Sequence, residues 1–104
     1  MREGSIGAQW LEERTPTPPQ ELIRHATPYL RTGSPNAVEL ADAGTAALDD
    51  SLREAPGERE AAFQLLVADA LLTYACESAV DADDCERALE DVLGRVMSGA
   101  SPER

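Results

Sequence analysis

Lysine is missing from this chain altogether. All nine basic residues are arginine, and they face 20 aspartates and glutamates, so the formal net charge over 104 residues is −11. Removing every lysine from every surface has no functional logic. Together with 17 alanines it reads as the coding bias of a GC-rich sequence. The shortage of positive charge is more informative, because a phosphate backbone or an anionic bilayer would be repelled unless the few arginines clustered, and they do not. No nucleic acid and no membrane is therefore expected as a partner. Histidine occurs once, as His25, with no orienting residue that the sequence can name, so a general base is not expected. Cysteine occurs twice, which excludes a disulfide scaffold and any familiar zinc spacing. No run approaches the roughly 20 apolar residues of a membrane span. The opening MREGSIGAQW lacks the apolar centre of a signal peptide, which leads to the expectation of a cytoplasmic protein. Glycine-rich phosphate loops, G-x-S-x-G elbows and H-E-x-x-H pairs are all missing, which argues against an enzyme and against a bound cofactor or metal.

What is present is helical. A chain of this length makes one domain that buries about 65% of its unfolded surface, and no segment alternates as a strand would. Composition divides it into a Pro- and Gly-containing arm over residues 1–33, a helical body over 34–98 and a disordered tail over 99–104. In the arm, Ile6, Trp10 and Leu11 make one apolar turn. Thr17 reads as an N-cap with Pro18 at the first helical position and Gln20 completing a capping box. The short helix that follows carries Leu22, Ile23 and Ala26 and ends at Thr27, before Pro28.

The body predicts three antiparallel helices, at about 35–54, 58–79 and 82–97, giving an all-α bundle with a short Pro-flanked N-terminal helix. Ser34 is the expected cap of the first, and Gly44, lying in its apolar stripe, marks a close helix approach. Ala55-Pro56-Gly57 is the turn. The second helix is apolar around almost its whole circumference, with Phe63, Leu65, Leu66, Val67, Leu71, Leu72 and Tyr74, and such a helix is a buried one, to be covered on several sides by its neighbours or by another chain. Asp81 is the expected cap of the third, with Val80 and Cys85 as a hydrophobic staple. Phe63, Leu66, Ala70, Leu89 and Val92 are expected in the core.

Three clusters invite a chemical reading. Cys76 and Cys85 stand at similar heights on either side of a helical turn, as a redox pair would, but two reduced core thiols are the plainer expectation. Asp69, Thr73 and Glu77 form an i, i+4, i+8 polar stripe. Helical bundles that ligate metals with such carboxylates also use Glu-x-x-His pairs, and none is present, so a solvent-facing strip is expected. Asp81, Asp83, Asp84 and Glu86 lack the glycine and terminal glutamate of a calcium loop and read as capping residues.

These readings favour a small acidic protein–protein interaction module without catalysis. It would self-associate as a homodimer or dock on a larger protein, using Trp10, Leu11, Leu22, Ile23, Tyr29, Phe63, Leu71 and Tyr74. A small-ligand carrier with a pocket between helices and an acidic mimic of nucleic acid are the alternatives. A third possibility for the arm is that it folds back and closes its own bundle.

Overall fold

The longest helix organises the rest. In a computed structural model that describes residues 7–54 and 57–99, the elements are α1 (Ala8–Glu12), α2 (Gln20–Ala26), a 3-10 turn (Thr27–Tyr29), α3 (Ala37–Arg53), α4 (Arg59–Val80) and α5 (Cys85–Gly99). There is no strand among the described residues, and the architecture is an all-α bundle. Ile6, the Ala55–Pro56 turn and the expected tail from 100 onward lie outside the described residues.

α3 and α4 pack along most of their length. The Ser51 hydroxyl donates to the carbonyl of Ala61 at 3.1 Å, and Gly44 abuts Leu72. The pairing climbs α4 as it descends α3, so the two are antiparallel. Between them Leu40, Ala41, Ala47, Val67, Leu71 and Ala75 are fully buried. The interface is rich in alanine, which lets the backbones come close; Gly44 is its tightest point, as its place in the apolar stripe predicts. α4 has the length and mean hydropathy of a span, 1.3 over an 18-residue window, which the expectation of no such run did not anticipate. Here it packs against α3, the arm and α5 but is not buried all round as expected: Leu65, Leu66 and Val80 are each more than half exposed.

The helix starts differ from expectation, for local reasons. α2 begins at Gln20 behind Pro19, whose ψ of 150° is extended. Pro19 disfavours helical geometry at Pro18, and the Thr17 hydroxyl instead donates to the carbonyl of Arg14 at 3.3 Å. α3 is capped by Asn36, not Ser34. The Asn36 Oδ1 accepts the Glu39 N–H at 2.8 Å, and the Glu39 carboxylate takes the N–H groups of Arg31 and Thr32 at 2.7 and 3.0 Å. Glu39 thereby fixes the incoming chain on the first turn of α3. Asp81 remains in right-handed geometry as the last turn of α4, donating its N–H to the Glu77 carbonyl, and so cannot cap the next helix. Asp84 does so, accepting the Arg87 N–H at 3.2 Å. With the start moved, the expected staple is lost: Val80 and Cys85 are both exposed.

The core also differs from the predicted set. Val92 is buried, Phe63 and Ala70 are half-buried, and Leu66 is 57% exposed and Leu89 37% exposed. The arm supplies the rest. Leu11, Ile23, Ala26 and Leu30 belong to the same continuous core as the body, so the compositional boundary near residue 34 is not a boundary in packing.

Candidate interaction surface

Residues expected to reach a second chain are spent within this one. Leu11, Ile23 and Leu71 are buried, and Trp10, Leu22, Tyr29, Phe63 and Tyr74 are half-buried by neighbours in the same chain. The Trp10 ring stands edge-on to Tyr74, centroids 5.6 Å apart, and the Arg14 guanidinium lies 3.9 Å over its other side. His25 stands edge-on to Phe63 at 4.6 Å. The Tyr29 hydroxyl donates to Asp50 of α3 and accepts the Gln64 Nε2–H of α4 at 3.1 Å. Burial, reinforced by the Asp50 carboxylate, pushes the Tyr29 phenol up to about 12. Tyr74 is raised by burial too, with Glu77 adding and Arg14 opposing. The arm is thus the fourth wall of the bundle within this chain, packed on the Phe63–Val67–Tyr74 side of α4 as the fold-back alternative has it.

The bundle still leaves bulky apolar side chains in water. On α4 these are Leu65, Leu66 and Val80, each more than half exposed; on α5 they are Leu89, Leu93 and Met97, the last two 60% and 63% exposed. Leu52 on α3 stands apart from them. At about 100° per residue, Leu65, Val80 and Leu66 fall within one arc of α4, and Leu89, Leu93 and Met97 follow i, i+4, i+8 along one edge of α5.

Helix geometry places the two sets together. The arm holds the Phe63–Tyr74 side of α4, α3 holds the Ala68–Ala75 side together with Leu72, and α5 packs on both α3 and α4. On α5, Arg95 reaches Asp42 of α3 at 2.9 Å, and Val92 points into the core. The edge across Val92 from Arg95 carries Leu89, Leu93 and Met97 and lies on the α4 side of α5, with Leu93 and Met97 turned out to solvent. Leu65 and Val80 of α4 and Leu89, Leu93 and Met97 of α5 therefore border one seam, whereas Leu66 belongs to the cleft that α2 makes with α4 beside His25 and Phe63. The seam surface was missed from sequence because Cys85, Ala88, Leu89, Val92, Leu93, Val96 and Met97 share one helical spacing that a core stripe would also show, whereas a 15-residue helix lying on the outside of a bundle buries only part of it.

Cys76 and Cys85 are free and exposed, not the core thiols expected. Cys76 lies on the outward arc of α4 beside Leu65, and Cys85 opens α5 before the chain reaches the core. Asp69, Thr73 and Glu77 are exposed, as a solvent-facing strip should be. Among the described residues no three His, Cys, Asp or Glu side chains converge as metal ligands. The Nδ1 of His25 lies 3.0 Å from the carbonyl of Glu21 on its own helix, at the rim of an open cleft that also touches Arg59 and Phe63. Comparison of the chain with known protein families, characterised proteins and solved structures finds no match.

Proposed function

We propose that this chain is a small acidic helical interaction module without catalytic chemistry, which presents the α4–α5 seam to another protein. The observation that carries the reading is the row of exposed large apolar residues on both sides of that seam. The five exposures of Leu65, Val80, Leu89, Leu93 and Met97 together equal nearly three whole side chains left in water, worth about 4–8 kcal/mol if a partner buried them. Scattered exposed leucines are ordinary, but a contiguous apolar surface of this kind typically marks an interaction site. The arm contributes indirectly: it covers the opposite side of α4 and leaves this one open.

Photocrosslinking in the native host tests the reading. A benzophenone amino acid replacing Leu93 should give discrete protein adducts, and the same group replacing Glu12, on the arm, should not. Equal adduct patterns from both positions would remove the support for a dedicated surface. Self-association is read in the same experiment as an adduct of twice the chain mass.

A further inference from the structure

We infer that the occupant of the α4–α5 seam is a cationic amphipathic helix of another protein, an inference that rests on reading the seam as a docking surface. Charge decides between this and a second copy. Residues 57–99 carry ten carboxylates and three arginines, whereas residues 7–54 carry eight and four. The carboxylates of the first half are largely engaged: Glu21 with Arg24, Asp42 with Arg95, Asp49 and Asp50 with Arg53, and Glu39 with backbone N–H groups. Around the seam, Asp69, Glu77, Asp81, Asp83, Glu86 and Glu90 make no ion pair or side-chain hydrogen bond among the described residues. Arg95 is turned to α3 and already holds Asp42.

The distribution has a sense. Asp69 and Glu77 share the outward arc of α4 with Leu65 and Val80, and Glu86 and Glu90 continue the arc of α5 beyond Leu93. The apolar row is therefore bordered by anions that lack local counter-charges. A second copy laid on this face would set carboxylates against carboxylates, which disfavours wrong partners by repulsion. An anionic lipid surface or a nucleic acid meets the same obstacle. A helix with leucines on one face and lysines or arginines flanking them satisfies both the row and its border. From Leu65 to Val80 the row runs about 22 Å, the length of about 15 helical residues. Two helices side by side make the kind of groove into which an amphipathic helix lays its apolar face.

The two exposed thiols report on the seam directly, because Cys76 and Cys85 lie along it and are the only cysteines in the chain. The probe is an 18-residue Leu/Lys peptide with leucines at helical i, i+3, i+4, i+7 spacing. It should bind with an affinity that falls as salt rises, and slow alkylation of both thiols at least about fivefold. A Leu/Glu peptide of the same pattern and a scrambled Leu/Lys peptide should do neither. The double variant Leu93→Gln/Met97→Gln should lose at least about tenfold in affinity, while Leu52→Gln should not. Equal binding of the Leu/Glu peptide, or of the scrambled one, overturns the inference. If the thiols are protected instead by dimerisation, seen by sedimentation as a concentration-dependent mass, a second copy is the occupant: this inference fails and the docking surface stands. If neither peptide nor self-association protects them, and the crosslinks from position 93 match those from position 12, both fall.

Discussion

Replacing Gly44 by alanine sets two effects of known size against each other. In an exposed helix interior the change stabilises by about 1 kcal/mol, because alanine loses less backbone freedom than glycine on folding. At Gly44 the new methyl carbon would sit 2.6 Å from Leu72 Cγ, 2.7 Å from its Cδ2 and 3.1 Å from its backbone nitrogen. Rotating the leucine relieves the first two contacts but not the third, so α3 and α4 must separate where their core is fully packed. Overpacking of this kind costs about 1–3 kcal/mol. The expected net effect is destabilisation by about 1 kcal/mol, a fall in melting temperature of about 5 °C for a domain of this size, measured by dichroism at 222 nm. Gly94, on α5, has nothing within 4 Å of the corresponding position. There the same substitution should raise stability by about 0.5–1 kcal/mol. In a Leu72→Ala background, Gly44→Ala should become neutral or stabilising, a coupling of about 1–2 kcal/mol between touching residues. A higher melting temperature for Gly44→Ala alone would refute the close approach of the two helices.

Leu11→Ala should destabilise by about 2–5 kcal/mol, the range for a buried leucine, in chemical denaturation; a change below about 0.5 kcal/mol would mean that the arm does not pack on the body. Asn36→Ala should cost about 1 kcal/mol through loss of the α3 cap, and Ser34→Ala almost nothing; a reversed order of melting temperatures would return the cap to Ser34. In ultraviolet titration, Tyr29 should ionise near 12. Because its folded value lies above the unfolded value of 10.0, the stability it contributes is complete below pH 10 and lost as pH rises through about 12. Tyr29→Phe should therefore be less stable at neutral pH and flatten the alkaline fall, and an unchanged alkaline profile would contradict the Tyr29–Asp50 pairing.

Periodicity alone, which overstated the burial of α4 because Leu65, Leu66 and Val80 stay more than half exposed, determined that this chain is helical and that Gly44 lies where two helices touch. Those are properties of spacing, and a 3.6-residue repeat held over four turns has few other solutions. The helix starts were partly legible: Asn36 and Glu39 stand at capping-box spacing, and the Pro18–Pro19 pair disfavours helix at Pro18, signals overshadowed by the neighbouring Ser34 and Thr17. Which apolar side of α4 would be covered, and by what, was decided only in three dimensions. Trp10, Leu11 and Ile23 are equally suited to a foreign surface or to their own bundle, since hydrophobic attraction has no direction and does not distinguish chains. Chain length and the turns at Pro16–Pro19 and Thr27–Tyr29 bring the arm back to the Phe63–Tyr74 side. That in turn leaves Leu65, Leu93 and Met97 in water on the other. The apolar stripe of α5 has one period whether it is wholly or half buried, and the difference depends on how deeply the helix sits against α3 and α4, which only tertiary packing sets.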